Sequence, residues 1–481
     1  MAGHKGRRSL RRLCGAGRPD FPARAAARIM AAMNRKRRLL ILPLLLLLAA
    51  CSPGGAADVT EPSTGPASGT TAAPAAAAGD GEIVQLVYQD WRTDWFPGMA
   101  QEQLAKFHAT HPNIRVFYTP DPEDVPGEMP AMFQSGSAPD VISGCCDFFP
   151  AWAQAGYLLD LAPYVQRDLS AETIAEWDEA QYKAFFTADG MQYALPKYHG
   201  ALAVYYNKDM FDAAGLPYPG PDWTYDDYLA AMTALTSADG TVWGSTLDPI
   251  YDRVQIHVNA FGGHFVNPDD PTDCVLDEAP AVAALEWLRA RFQDDGVMAS
   301  PLALNKLETR RAFWEGRVAM VEDGSWALKD ILVNANFRVG VAPFPVGPAR
   351  RATLANTDGF AIAANTQHPE EAWELLKFLV GEEYGLAMAR ASFLQPARAS
   401  LVDQWAALVR ADLPEQTTDL DLVVFADGHT RGYSVTAEVF ANMIGVRDIT
   451  DAAFEDILTL GQAAPAERLA QACQAIEALQ P

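Results

Sequence analysis

The sequence predicts an α/β protein that is divided between two lobes. The chain has 481 residues, which is more than one hydrophobic core usually contains and enough for two. After residue 82, short apolar and β-branched runs alternate with amphipathic helical patterns, an order that favours a largely parallel sheet covered by helices. The composition, with 49% hydrophobic and 20% charged residues, is that of an ordinary globular protein.

The N-terminal segment has the pattern of a secretory signal peptide. A basic cluster at 34–38 is followed by an apolar run at 39–48 and then by Ala49-Ala50-Cys51. A basic segment, a short apolar run and small residues before a cleavage point are typical of such signals, and the run is too short to cross a bilayer. We therefore interpret residues 1–50 as a signal peptide. Because Met33 would begin a signal of ordinary length, residues 1–32 are interpreted as an overlong start.

The residues around Cys51 indicate a lipid anchor. Leu48-Ala49-Ala50-Cys51 resembles the bacterial lipobox, whose cysteine is lipidated and becomes the mature N-terminus. Two or more acyl chains anchor a protein stably, because each buried CH₂ contributes ~0.8 kcal/mol. The alternative is an ordinary secretory cleavage beside a cysteine. Residues 51–81 are rich in Ala, Gly, Pro, Ser and Thr and are predicted to form a flexible tether.

The charge of the chain is unevenly distributed. The whole chain carries −24 and residues 1–50 carry +11, which leaves −35 for the remainder. An acidic surface repels phosphate backbones, so nucleic acid is not an expected partner. The six cysteines have no zinc-binding spacing and the eight histidines include no HExxH pair, so neither a metal nor a cofactor is predicted.

The predicted elements follow one another in the order of an α/β fold. A strand at 83–88 precedes a helix whose inward face carries Ala100, Leu104, Phe107 and His111. Further strands are predicted at 114–118, 140–142, 201–206, 337–342 and 360–363. Helices are predicted from the capping box at Thr224 through Leu235, from Pro280, over 369–380, and over 450–479 with a break near Pro465.

Short segments of the folded body carry a further signal. They are APDV at 138–141, AGYLL at 155–159, YALP at 193–196, VYYNKDMF at 204–211, GRVAM at 316–320, GSW at 324–326 and GVAPFP at 340–345. In their order and spacing these segments resemble the family 1 extracellular solute-binding proteins. The resemblance covers about residues 82–480.

This resemblance implies the periplasmic-binding-protein fold, with two doubly wound α/β lobes, a ligand cleft between them, and hinge closure around the ligand. We expect lobe 1 at 82–197, lobe 2 at 198–345, a return to lobe 1 at 346–398, and helical segments mainly on lobe 2 at 399–481. The implied function is an extracytoplasmic lipoprotein that captures a sugar or oligosaccharide and delivers it to the permease subunits of an ABC importer. It is expected to be a monomer and not an enzyme.

Candidate ligand residues lie where strands end, because ligands of open α/β sheets bind beyond the carboxyl ends of strands. A sugar needs aromatic rings for its C–H faces and polar groups for its hydroxyls. Near the first lobe and its crossing to the second, the candidates are Trp91, Asp94, Trp95, Asp147, Tyr198 and His199. Each aromatic residue among them has packing or a hinge role as its alternative.

The remaining candidates belong to the second lobe and to the second crossing. They are Asp248 and Tyr251 before or at the start of a helix, Asn259 after it, Trp326, and Asp358 with Gly359. By the resemblance, Trp326 occupies a position where relatives carry a sugar-stacking aromatic. At a position like that of Asp358-Gly359, relatives have small residues whose backbone approaches the ligand.

The cysteines leave alternatives open. Cys145 and Cys146 precede Asp147, the preferred polar contact, and they form either a vicinal disulfide or two reduced thiols. Cys274 and Cys473 either pair with each other or are separate small buried residues.

Two other functions remain open on the sequence alone. A polyamine-binding protein of the same fold would suit the acidic charge and the aromatic residues through cation–π contacts. A secreted carbohydrate-active enzyme would need a carboxylate pair, for which the chain has many candidates, but GxSxG elbows and P-loops are missing from the sequence.

Overall fold

The computed structural model describes residues 83–90, 97–119, 121–122, 125–146 and 148–481. The predicted signal peptide (1–50), its overlong start (1–32), the tether (51–81) and the lipidation site Cys51 lie outside the described residues, as do the candidates Trp91, Asp94, Trp95 and Asp147. Among the described residues, no helix combines the length and the apolar character that crossing a membrane requires.

The strands and helices alternate along the described chain. The strands are β1 Val84–Gln89, β2 Ile114–Thr119, β3 Val141–Gly144, β4 Leu195–Pro196, β5 Tyr198–His199, β6 Leu202–Asn207, β7 Val266–Asn267, β8 Asp270–Cys274, β9 Met320–Gly324, β10 Val339–Ala342, β11 Thr353–Leu354, β12 Gly359–Ile362, β13 Gln395–Pro396 and β14 Ser434–Val435. The helices up to the second sheet are α1 Pro97–Thr110, α2 Val125–Ser135, α3 Phe148–Gln154, α4 Ala162–Asp168, α5 Ala171–Ile174, α6 Glu179–Lys183, α7 Lys208–Ala214, α8 Tyr225–Leu235, α9 Tyr251–Ala260, α10 Ala279–Arg289, α11 Thr309–Trp314 and α12 Leu328–Asn334. Those that follow are α13 Pro369–Leu379, α14 Glu382–Ser392, α15 Val402–Asp412, α16 Pro414–Thr417, α17 Val424–Thr430, α18 Val446–Phe454 and α19 Pro465–Glu477.

Lobe 1 is built on a five-stranded sheet in the order β2-β1-β3-β12-β4. β1 pairs in parallel with β2 and β3, whereas β12 runs antiparallel to β3 and β4. Helices cover both faces: Phe107 of α1 and Trp373 of α13 pack on one side, and Met129 of α2 and Trp152 of α3 on the other. The sheet is therefore the middle of three layers, as its apolar strands predict.

Lobe 2 is built on the three-stranded antiparallel sheet β10-β6-β9. Every residue of β6 is buried, because successive side chains enter two different cores. Val204 and Tyr206 pack with α8, α9 and α10, while Ala203 and Tyr205 pack with α11, α12 and α15. A disulfide between Cys274 in β8 and Cys473 in α19 closes one edge of this lobe.

Local signals in lobe 2 place its elements. Thr224 accepts a hydrogen bond from the backbone of Asp227, and Asp227 accepts one from the backbone of Thr224, so the predicted capping box opens α8. The predicted break in the C-terminal helical region is also confirmed, since α19 begins at Pro465 after a π-helical turn at Glu455–Thr459. The helices after residue 399 pack mostly against the lobe 2 cores.

The return to lobe 1 lies later than the expected boundary at 346. The backbone N–H of Val346 donates to Trp223 and that of Ala349 donates to Ala260, both in lobe 2, and Leu354 packs against Ile256. The chain re-enters lobe 1 only at 356–359, where β12 joins the larger sheet. Pro343 and Pro345 follow the end of β10. They mark the end of that strand and not the end of lobe 2, which is why the expected lobe boundary came too early.

Candidate functional site

A cavity of about 190 Å³ lies between the lobes, where their strands end. Lobe 1 contributes residues that follow β3 and precede β12, and lobe 2 contributes the start of α9 and the turn after β9. The lining residues are Cys145, Cys146, Tyr198, Asp252, Arg253, Trp326, Leu354, Ala355, Asn356, Thr357, Asp358 and Ala437. The cavity thus combines aromatic, apolar and charged groups in one small space.

Trp326 is the large aromatic side chain that lobe 2 presents to the cavity. It follows β9 directly, in the short 3₁₀ turn Ser325–Ala327, and it is partly exposed. Its ring lies against the backbone of Gly324, where any Cβ would overlap the ring atoms. The guanidinium carbon of Arg253 lies 5.3 Å from the ring centroid. The ring is therefore held in place from two directions and keeps an accessible part at the cavity.

The charged residues of the cavity are held by ion pairs. Asp252 accepts a hydrogen bond of 2.7 Å from Arg447, and Arg253 lies 3.3 Å from Asp323. Asp323 also accepts a 2.8 Å hydrogen bond from Arg310, whose pKa it raises although burial opposes the charge. These pairs fix the direction of polar groups before any ligand enters, which lowers the entropy lost on binding.

Two crossing segments join the lobes at one end of the cavity. Gln181 donates through its amide to the backbone carbonyls of Tyr198, at 2.8 Å, and of Asn356, at 2.7 Å. The side-chain oxygen of Asn356 accepts from the backbone N–H of Gly200, where a Cβ would collide with it. Both segments are thus fastened side by side, so a bend in one requires a bend in the other.

A buried ion pair anchors the first crossing segment to lobe 1. Lys197 contacts the carboxylate of Asp90, which follows β1, and donates to the hydroxyl of Ser143 in β3 at 3.1 Å. The two charged side chains are almost completely buried. Breaking such a pair leaves an uncompensated buried charge, so this segment is firmly held.

Comparison with known proteins decides the family. The model of the bacterial extracellular solute-binding protein family matches residues 89–385, which is more than half of the chain. The chain belongs to this family. The predicted family is therefore confirmed.

Individual relatives of this solute-binding protein are distant. A putative binding protein of Brucella abortus is 27% identical over 213 residues, so the chain spans about half the length of that relative and matches it over 43% of its own. The galactooligosaccharide-binding protein of Bacillus subtilis is 23% identical over 66% of this chain and 74% of its own length. The ABC substrate-binding protein Lmo0181 of Listeria monocytogenes, solved in complex with cycloalternan, has a TM-score of 0.71 at 25% identity and covers 82% of this chain and 99% of its own. These likenesses confirm the predicted two-lobed α/β fold.

Three of the predicted site residues of this solute-binding protein come together at the cavity. Tyr198 arrives from the first crossing segment, Trp326 from the end of β9, and Asp358 from the second crossing segment. Asp358 accepts a hydrogen bond from the amide of Asn356, a neighbour that the sequence analysis did not select. Tyr198 lies in the short strand β5, Trp326 comes two residues after β9, and Asp358 directly precedes β12, so all three lie at or beside strand ends.

Five predicted residues do not line this cavity, and each already has a structural role. His199 is buried and contacts the carbonyl of Phe425 at 3.2 Å, and burial lowers its pKa. Asp248 accepts a 3.1 Å hydrogen bond from Thr309, and burial raises its pKa. Tyr251 donates to the backbone carbonyl of Glu438 and Asn259 donates to its carboxylate, at 2.9 Å each. Gly359 packs closely, since a Cβ there would overlap the ring of Phe185. These five residues therefore lie outside the cavity lining, and a ligand contact at them stays a prediction.

Several lining residues were not among the predicted site residues. Asp252 and Arg253 adjoin Tyr251, and residues 354–357 adjoin Asp358, so proximity to a predicted residue was the available signal. Ala437 gave no signal, because it reaches the cavity only when the C-terminal part folds back on lobe 2. Cys145 and Cys146, considered only as neighbours of Asp147, form a disulfide and line the cavity themselves.

Proposed function

We propose that this protein captures a sugar or oligosaccharide between its lobes and delivers it to an ABC importer. The observation that carries the proposal is the cavity itself, in which Trp326 and Tyr198 stand beside Asn356 and Asp358. Aromatic rings cover the C–H faces of a sugar, while carboxylates and amides bind its hydroxyls.

The relatives support the same ligand class. The Bacillus subtilis relative is named for galactooligosaccharides, and the Listeria structure contains cycloalternan. An oligosaccharide longer than the cavity would extend outward along the cleft, or it would bind a more open arrangement of the lobes.

Capture outside the cytoplasm and delivery at the membrane belong to the same proposal. The lipobox-like Leu48-Ala49-Ala50-Cys51 supports an anchor at Cys51, followed by a tether that lets the domain reach its permease. Replacing Cys51 with Ser should move the protein from the membrane fraction to the soluble fraction or leave its precursor uncut. Unchanged membrane association would remove the lipid anchor from the proposal.

A ligand screen tests the central claim. Maltotriose, mannotriose, cycloalternan and galactooligosaccharides are added to the purified protein, with spermidine as the polyamine alternative, and thermal unfolding is followed. A ligand at one hundred times its Kd should stabilise the protein by about 2.7 kcal/mol. If spermidine alone stabilises the protein, the ligand is a polyamine cation and not a sugar. Release of shortened sugars during incubation would instead support an enzyme.

A further inference from the structure

The disulfide between Cys145 and Cys146 forms part of the wall that lobe 1 presents to the cavity. Cys145 follows β3 directly, and the last residue of β3, Gly144, pairs with Gly359 of β12. Cys146 is partly exposed and has a φ of 59°, a left-handed conformation that residues with a side chain rarely adopt. The strand end and this backbone turn together place both cysteines at the cavity.

Bonding between adjacent cysteines changes what the wall can do chemically. Two free thiols would rotate and offer weak hydrogen-bond donors, whereas a closed disulfide has no S–H group and cannot rotate freely. Its surface is apolar and polarisable. The nearby polar groups come from other residues, Asp252, Arg253, Asn356 and Asp358. The disulfide therefore supplies an apolar surface from lobe 1 in a cavity where Trp326 supplies one from lobe 2.

We propose that the Cys145–Cys146 disulfide is a ligand-contacting surface, against which an apolar C–H face of the bound sugar packs, and that full affinity requires this disulfide to be closed. The proposal rests on the proposed capture of a sugar in this cavity. It assigns the cysteine pair to binding and not to the stability of the fold.

The second disulfide of the protein provides a matched contrast. Cys274 and Cys473 are both buried, join β8 to α19 across 199 residues, and do not line the cavity. A bond that closes so long a loop restricts the unfolded chain and stabilises the fold. A bond between neighbouring residues closes almost no loop, so its removal should change the unfolded chain very little. The two disulfides should therefore differ in which property their removal alters.

The first experiment removes each disulfide by substitution. Cys145→Ala with Cys146→Gly takes away both sulfurs, and glycine adopts the left-handed conformation at position 146 without strain. Calorimetric titration uses whichever of maltotriose, mannotriose, cycloalternan or galactooligosaccharides binds the unmodified protein most tightly. We expect the Kd to rise about tenfold, the loss that corresponds to about 50 Å² of apolar contact at about 25 cal/mol per Å². The control pair, Cys274→Ala with Cys473→Ala, should lower the melting temperature and leave the Kd within twofold.

The second experiment needs no substitution and covers the case in which a variant fails to fold. The native protein is treated with a water-soluble phosphine, which becomes its oxide with an oxygen atom from water, while each sulfur of an opened disulfide gains one electron and one proton. Iodoacetamide then caps the thiols, and peptide mass spectrometry measures the extent at each cysteine. The sugar chosen above should slow the modification of Cys146 at least several-fold and leave the rate at Cys274 unchanged.

Each outcome has a separate meaning. A raised Kd in the first pair of variants, together with protection of Cys146, supports the proposal. An unchanged Kd in a folded Cys145→Ala, Cys146→Gly protein, or equal modification with and without sugar, overturns it and leaves sugar capture intact. If none of the four sugars binds the unmodified protein, the proposed function fails and this inference fails with it.

Discussion

The imidazole Nδ1 of His429 lies 2.9 Å from a carboxylate oxygen of Asp178. Asp178 caps the start of α6 next to Trp177, which belongs to the lobe 1 core. His429 lies in α17, whose Phe425 packs in a lobe 2 core. The pair therefore connects the two lobes near their crossing segments. The hydrogen bond to Asp178 raises the pKa of His429, although partial burial acts in the opposite direction.

The first prediction concerns the pH dependence of this connection. Because the folded-state pKa of His429 is raised, the charged pair contributes fully at pH values below the unfolded pKa of about 6.5. Its contribution is lost as the pH rises through the folded-state pKa. His429→Gln should therefore lower the melting temperature more at pH 5.5 than at pH 8.5. The difference should correspond to about 1 kcal/mol or less, since a third of the side chain is exposed.

A second histidine near Asp178 has the opposite expected pH dependence. His199, whose ring centroid lies 6.3 Å from that of His429, is also near Asp178, and burial lowers its pKa. Protonation of His199 should therefore lower the free energy of unfolding at low pH, whereas protonation of His429 should raise it. If the melting temperatures of the unmodified protein and of His429→Gln differ by the same amount at every pH, the ion pair does not contribute in the way we expect.

The second prediction concerns Trp326 and uses Trp243 as its match. Both rings are partly buried in lobe 2 and both have an arginine over one face, Arg253 for Trp326 and Arg317 for Trp243. Trp326 lines the cavity and Trp243 does not. Trp326→Ala should weaken sugar binding at least tenfold, about 1.4 kcal/mol or more, through lost apolar contact and stacking.

Measurements on the same preparations decide between binding and packing. Trp243→Ala should lower the melting temperature of the unliganded protein, because it leaves a hole beside the second lobe 2 core, and it should keep its affinity. Should Trp326→Ala also melt early and bind sugar normally, Trp326 would be a packing residue.

The third prediction tests the close approach of Gly324 to the same ring. A methyl group at position 324 would overlap the indole of Trp326, so Gly324→Ala must displace the ring or the turn that carries it. Such overpacking costs about 1–3 kcal/mol of stability and should weaken binding as well. Gly220→Ala is the control, since no atom lies within 4 Å of its added Cβ. A Gly324→Ala protein with unchanged melting and affinity would contradict the observed approach.

The fourth prediction concerns the fastening of the crossing segments. Gln181 is fully buried, and Gln181→Met would leave the carbonyls of Tyr198 and Asn356 without this donor. Unsatisfied buried acceptors cost about 1–3 kcal/mol each, so chemical denaturation should show a loss of about 2–6 kcal/mol for the two carbonyls. Gln134→Met removes an exposed hydrogen bond to Tyr157 and should change stability by less than about 1 kcal/mol. Equal effects of the two substitutions would show that Gln181 does not fasten the segments.

The sequence predicted the α/β order and three cavity residues because both depend on local signals. Strand ends are visible as apolar runs that stop, and Tyr198 was selected in this way, whereas Trp326 and Asp358 were selected with the help of the family resemblance. Tyr251 and Asn259 of α9 do not line the cavity, and their contacts depend on a partner that no local pattern reveals. Tyr251 and Asn259 are i and i+8 on one helical face, and both contact Glu438 of a segment 179 or more residues away.

The lining residue beside Tyr251 also depends on a part of the chain that is distant in sequence, since Asp252 pairs with Arg447. Asp252 lies in the first turn of α9, which reaches the cavity, whereas Asn259 lies seven residues further along the same side of the helix. The contacts that the C-terminal segment makes with α9 could be known only after that segment had been placed. The boundary at 346 differs for a related reason, since residues 346–355 are held by backbone groups of lobe 2 that are distant in sequence, including those of β14.

The bond between Cys274 and Cys473 has a consequence for proteolysis. Every cavity residue from Trp326 to Ala437 lies between these two cysteines in sequence. A protease that cuts one exposed peptide bond in this interval would yield two fragments still joined by sulfur. Under non-reducing conditions the cut protein would migrate as one species, with both pieces of the cleft kept in the same molecule.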